Sequence, residues 1–123
     1  MPLGVIAAVL LMGCVASDGD SLRCGRERIR LLGIDAPELS RCQPRRTCAP
    51  GDPVRSRDHL RSLLNGRRLL VERVGRDRYG RTLAVVHAGA INLSCAQIKG
   101  RYALYRREWD NGRRIAKTCP AVG

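Results

Sequence analysis

One segment long enough to be a helix divides this chain, and the apolar patterns on both sides of it have the length of short strands. Asp52 followed by Pro53 supplies an N-cap and a first helical residue, Leu60, Leu63 and Leu64 make an apolar stripe, and Asn65-Gly66 ends the helix. Before it lie a strand ending near Ala16, a "SDGDS" turn at 17 to 21, a strand over Ser21 to Cys24, and "RERIRLLGI", which carries Ile29 and Leu31 on one side and weakens at Gly33. After it come an imperfectly alternating strand over 68 to 74, the turn "DRYGR", and the strand "TLAVVHAG" with a turn at 88 to 90. Asn92 caps a further helix from Leu93 to Lys99 that Gly100 ends, and a last helical piece is predicted around Arg107 to Lys117. Two strand groups about one helix, closed by another helix, predict a small single domain that is mainly β with helices. A curved barrel fits this order better than an α/β sheet.

Covalent chemistry narrows the choice further. Cys14, Cys24, Cys42, Cys48, Cys95 and Cys119 make an even number in a chain of 123 residues, which favours disulfides and an oxidising compartment. No CxxC pair occurs, so the pattern does not read as structural zinc. Of the complete pairings open to six thiols, proximity in the expected fold favours Cys14 with Cys24, Cys42 with Cys48, and Cys95 with Cys119. The opening "MPLGVIAAVLLMGCVAS" has a signal-peptide-like apolar core and no basic residue before Arg23, so residues 1–14 read as a leader that overlaps a possible first strand over Val9 to Ala16. Export to the periplasm or beyond is expected. The "LMGC" run also resembles a lipoprotein processing site, and only lipidation of Cys14 would attach the chain to a membrane. The domain then covers residues 15–119, with 120–123 as a tail.

The formal net charge is +12, and arginine supplies nearly all of the positive charge, since Lys99 and Lys117 are the only lysines. Guanidinium is the better fork for phosphate, so a polyanion such as nucleic acid is the expected partner. Against that background, Asp20, Asp35 and Glu38 stand out at the ends of apolar strands, where oxygen ligands suit a hard cation such as calcium or magnesium. A strand-end carboxylate is also a common turn former. Together with fixed guanidinium groups, such acids form the inventory for attack on a phosphodiester: charge stabilisation at the phosphate and a carboxylate that positions water. In an ideal strand Arg30 and Asp35 face opposite ways, so their convergence requires a bend near Gly33. The "DRYGR" turn offers Tyr79 and Arg81 to the same anion, or is an ordinary hairpin turn. His59, alone on its helix beside Asp58, reads as a surface group. A basic secreted protein that engages membranes or acidic proteins would explain the charge but not the acids.

Taken together, "DGDS" at 18 to 21, "RLLGIDAPE" at 30 to 38, "DRYGRTLA" at 77 to 84 and "IN" at 91 and 92 resemble the staphylococcal nuclease, or thermonuclease, family. The resemblance covers about Val15 to Gly100 and implies a five-stranded OB-type barrel. It implies calcium as cofactor, held by Asp20, Asp35 and the main-chain carbonyl of Ala36, with Asp18 as a neighbouring acid. It assigns Glu38 to the attacking water, Arg30 and Arg81 to the phosphate, and Arg78 and Tyr79 to substrate contacts. The implied reaction is endonucleolytic hydrolysis of DNA and RNA with little sugar specificity, giving 3′-phosphate ends, by a monomer without an obligate protein partner. Where this family usually has threonine, Ser21 and Ala36 stand here; the first keeps the hydroxyl and the second keeps only the carbonyl. The Cys-rich insertion after Leu39 departs from the family pattern and is expected to rigidify a loop next to Glu38. Tyr102 and Tyr105 take no assigned role. The competing reading is a noncatalytic OB-type nucleic-acid binding domain, which would be expected to lose Glu38 or an arginine; none is lost.

Overall fold

The strand that begins at Glu27 buries what its sequence alternates: Ile29 and Leu31 face the core, Arg28 faces solvent and Arg30 is partly covered. In this computed structural model, which describes residues 8–40, 42 and 44–122, the strands are β1 (Val9–Leu11), β2 (Cys14–Asp18), β3 (Ser21–Cys24), β4 (Glu27–Leu31), β5 (Ile34–Asp35), β6 (Leu69–Arg76), β7 (Thr82–Ala88), β8 (Ile91–Asn92) and β9 (Leu104–Tyr105). The helices are α1 (Pro53–Leu64), α2 (Leu93–Lys99) and α3 (Arg114–Thr118).

Hydrogen-bonded neighbours run β1-β6-β7-β4-β3-β2, with β8 added to β7. All pairs on this path are antiparallel except β4 with β7, which run parallel with Ile29 opposite Thr82. Only Met12 and Gly13 separate β1 from β2, yet β1 pairs β6 and β2 pairs β3. The two ends of the path therefore meet in one bent segment. Counting β1 and β2 as halves of one strand, with β3, β4, β6 and β7, gives the five strands of a curled OB-type sheet, as expected. Residues 9–11, which fall within the stretch read as a leader, thus form a paired strand; residues 1–7 of that stretch lie outside the described residues.

The curled sheet encloses Leu22, Ile29, Leu31, Leu69, Val71 and Val86, and α1 closes one mouth with Leu60 and Leu64 while packing on β2. Asp52 caps α1 as expected, accepting the amides of Val54 at 2.9 Å and Arg55 at 3.2 Å, and Asn65 ends the helix in the left-handed region. Leu32, Val85, Ile115 and Cys119 form a second, smaller cluster where α3 meets the outside of the sheet. The three disulfides are Cys14–Cys24, Cys42–Cys48 and Cys95–Cys119, the pairing that proximity favoured.

The last helix differs from its sequence expectation. Instead of one piece over 107 to 117, two short 3-10 turns at Arg107–Trp109 and Asn111–Arg113 precede α3. The cause is Asp110, whose buried carboxylate accepts the amides of Ile115 at 3.0 Å and Ala116 at 2.9 Å and starts the α-helix only there. The pair β5–β9 was not foreseen, because each strand has two residues and neither shows a period.

Candidate active site

Asp20 sits where β2 turns into β3, and three contacts fix that turn. The Leu31 amide donates to the Asp20 carbonyl at 2.9 Å, buried Gln97 donates from Nε2 to the Gly19 carbonyl at 2.8 Å, and the Ala36 amide donates to Asp20 Oδ2 at 2.9 Å. Gly19 is required by space alone: a Cβ there would lie 1.8 Å from Ser56 Oγ and 2.9 Å from Ala36 Cβ. Gln97 in turn bonds His59 Nδ1, and His59 stacks on Tyr102 with ring centroids 4.1 Å apart. His59 is therefore half-buried and structural, not the surface group expected, because α1 turns that edge toward α2.

The bend expected at Gly33 is present, with φ at 78°, in the left-handed region that favours glycine. The bend carbonyls are taken up, Leu32 O by Ser94 Oγ at 2.8 Å and Gly33 O by the Arg106 amide at 2.8 Å. It resolves the parity mismatch. Beyond the turn at Leu32–Gly33, Arg30 donates to the Ile34 carbonyl at 3.1 Å and pairs at 3.3 Å with Asp20, whose Oδ2 also accepts the Ala36 amide, so Arg30 and the segment that carries Asp35 meet at Asp20. Asp35 is 1% exposed, Ala36 is buried beside it, and Glu38 is half-buried after Pro37. Burial pushes the Asp20 carboxyl above its usual range; Arg30 and the Ala36 amide oppose the rise, and Asp18 and Asp35 add to it.

Three residues outside the sequence-predicted site complete this corner. Arg106, at the end of β9, places Nη2 3.1 Å from Asp35 Oδ2. Arg46, in the loop tied by Cys42–Cys48, places one guanidinium nitrogen 3.1 Å from Glu38 Oε1 and another 3.7 Å from Asp35 Oδ1. Trp109 lies under the guanidinium groups of Arg30 and Arg106, 5.0 and 5.6 Å from its ring centroid. The insertion next to Glu38 pointed to the Arg46 loop but not to one arginine within it. Nothing in the sequence separation of Asp35 and Arg106 pointed to their pairing.

The 77–81 turn is built by Asp77, whose carboxylate accepts the amides of Tyr79 and Arg81 at 2.9 Å each and the Arg81 Nε at 2.7 Å. Burial disfavours the Asp77 anion, but the amide and guanidinium of Arg81 and the Tyr79 amide outweigh it and hold the carboxyl below its ordinary range. Tyr79 is exposed, with Arg78 donating to its hydroxyl at 2.9 Å and Arg28 donating to its carbonyl. Arg30, Arg46, Arg78, Tyr79, Arg81 and Trp109 line one groove of about 670 Å³. Sequence-predicted residues thus fall into two sets, the acid corner of Asp20, Asp35, Ala36 and Glu38 with Arg30, and the turn with Arg78, Tyr79 and Arg81. The groove, not a direct contact, joins them.

Chemically, the corner offers oxygen donors to a hard cation. Asp35 Oδ1 is buried without a hydrogen-bond partner and meets the Arg46 guanidinium only at 3.7 Å, an expensive arrangement for an anion that a closer cation would relieve. Among the described residues no group of three or more His, Cys, Asp or Glu side chains is placed to hold a metal ion, so a cation here would rest on at most two carboxylates with main-chain oxygen and water. Calcium accepts such a set and fills its remaining positions with water.

Comparison with known proteins bears on the family of the fold. The family described as Staphylococcal nuclease homologue matches residues 28–118. A Haemophilus influenzae protein named as an uncharacterized endonuclease is 35% identical over 100 residues, covering 77% of this chain and 51% of that protein. The chain therefore spans about half the length of this relative.

Proposed function

Since the chain belongs to the staphylococcal nuclease homologues, we propose that it is a metal-dependent endonuclease, hydrolysing DNA and RNA with little sugar specificity and leaving 3′-phosphate ends. The observation that carries this reading is the nearness of buried Asp20 and Asp35, one oxygen of Asp35 without a hydrogen bond, to Arg30 and to the Arg46–Glu38 pair, both arginines lining one groove.

Calcium is the cation of this reading, and Asp20, Asp35 and the Ala36 carbonyl would hold it. When bound, it supplies a divalent positive charge beside the phosphate oxygens. The chain's own residues do the rest. Glu38 lies partly open to solvent, where its carboxylate orients a water for in-line attack at phosphorus and accepts its proton. Arg30 is rigid, pinned by Asp20, the Ile34 carbonyl and the Trp109 ring, so its charge stands ready for the negative charge that builds on the phosphoryl oxygens. Arg81 spends Nε on Asp77, leaving its terminal NH₂ groups as donors for phosphate or for the departing 5′-oxygen. Tyr79, exposed at the groove wall, offers its ring to a base, and Arg78 beside it offers a weaker phosphate contact.

We place the protein outside the cytosol as a monomer. The three disulfides support that compartment, and Cys14, bridged to Cys24, uses the sulfur that lipidation would need. Among the described residues no helix is long and apolar enough to cross a membrane.

Purified protein incubated with plasmid DNA and with RNA, in calcium, in magnesium and in chelator, tests the reading. Cutting of both polymers in calcium, absent in chelator, with ends that a 3′-phosphatase must treat before extension, is the expected result. Retention of nucleic acid by folded protein without cutting under any metal condition would replace the enzyme with a binding domain.

A further inference from the structure

The two arginines on Asp35 are held very differently. Arg106 places two nitrogens on Oδ2, at 3.1 and 3.3 Å, and its backbone is bonded to Gly33. Arg46 reaches Oδ1 only at 3.7 Å, beyond hydrogen-bond distance, and makes its closer contact with Glu38 at 3.1 Å. Its side chain is 43% exposed, on a surface loop whose ends the Cys42–Cys48 bridge holds together. An ion pair so open to solvent is weak and exchanges partners readily. Arg46 also lines the groove with Arg30 and Arg81, within reach of any phosphate whose attacking water Glu38 orients.

A guanidinium on Glu38 blocks the oxygen that must hold water, and beside Asp35 Oδ1 it repels a cation. A phosphodiester in the groove offers the same fork a competing anion of matching planar geometry. We propose that Arg46 is a substrate-binding residue that covers Glu38 and Asp35 in the free protein and passes to the substrate phosphate when nucleic acid binds, uncovering both acids. The inference rests on the nuclease reading above. Its consequence is linkage: nucleic-acid phosphate and calcium assist one another through Arg46, because each gains when the arginine leaves the carboxylates. The disulfide keeps the arginine close enough to return.

Calorimetric titration of calcium and of a mononucleotide 3′,5′-bisphosphate, which has no internal phosphodiester to cut, tests this in the full chain, Arg46→Ala and Arg46→Lys. Without nucleotide, Arg46→Ala is expected to bind calcium about 5-fold more tightly than the parent and, without calcium, to bind the bisphosphate about 5-fold more weakly. The factor by which nucleotide strengthens calcium binding falls in Arg46→Ala and is largely kept in Arg46→Lys. Unchanged or weaker calcium binding by Arg46→Ala, with the thermal transition of the parent, would overturn the proposal. A parent that binds neither calcium nor bisphosphate would overturn the nuclease reading and this inference with it, whereas a parent that binds both while Arg46→Ala behaves identically removes only the inference.

Discussion

The corner at the end of β4 and the start of the same strand treat a carboxylate in opposite ways. At the start, Glu27 receives Arg73 through Nε at 2.8 Å and Nη2 at 2.7 Å, and the Thr82 hydroxyl at 2.8 Å. The Arg73 hydrogen bonds lower its pKa to about 2, against some burial. At the end, Asp20 is buried near Asp18 and Asp35, and its carboxyl is raised despite Arg30 and the Ala36 amide. Glu27 ties β4 to β6 and β7 and stabilises the sheet. Even beside Arg30, ionised Asp20 works against the fold unless a further cation joins it. One end of the barrel uses charge for stability, and the other crowds its charge where we propose that a cation binds.

Replacing each acid by its amide separates the two uses. Asp20→Asn is expected to weaken calcium binding by at least about 10-fold, while the metal-free protein melts no earlier than the parent because a crowded buried charge has gone. A lower midpoint for metal-free Asp20→Asn would break the comparison. The smaller effect belongs to Glu27→Gln, about 1 kcal/mol of stability at neutral pH, a modest value because Arg73 is partly exposed. Calcium binding by this variant stays that of the parent. The signs with pH are opposite as well. The depressed pKa of Glu27 gives stability that is present above the ordinary 4.5 and lost as pH falls toward about 2, so parent and Glu27→Gln converge in acid melts. The raised Asp20 gives a contribution that is full in acid and fades as pH rises through its elevated value.

What could be read from the sequence follows the range of the forces involved. Local signals placed α1 through Asp52, Pro53 and the Asn65-Gly66 stop, and placed α2 through Asn92, because caps and stripes act over a few residues. Gly33 marked the bend that reconciles Arg30 with Asp35, and motif order pointed to the acids as a group. Arg106 on Asp35, Gln97 under Gly19 and the β5–β9 pair were invisible, since each depends on contacts between residues far apart in the chain. His59 was misread for the same reason: its partners Gln97 and Tyr102 come from the far half of the chain. Arg46 lay in a segment read correctly as a tethered loop, but spacing says nothing of which of its arginines turns toward Glu38.

In the proposed reaction the acid corner performs hydrolysis and Glu38 handles the water. Parallel measurement of cleavage and retention of one labelled single-stranded oligonucleotide, in calcium, by the parent and by Glu38→Gln tests it most directly. The account predicts that Glu38→Gln retains the strand with an affinity near that of the parent while cleavage falls by about 10²- to 10⁴-fold. Cleavage by Glu38→Gln at a rate close to that of the parent would contradict it.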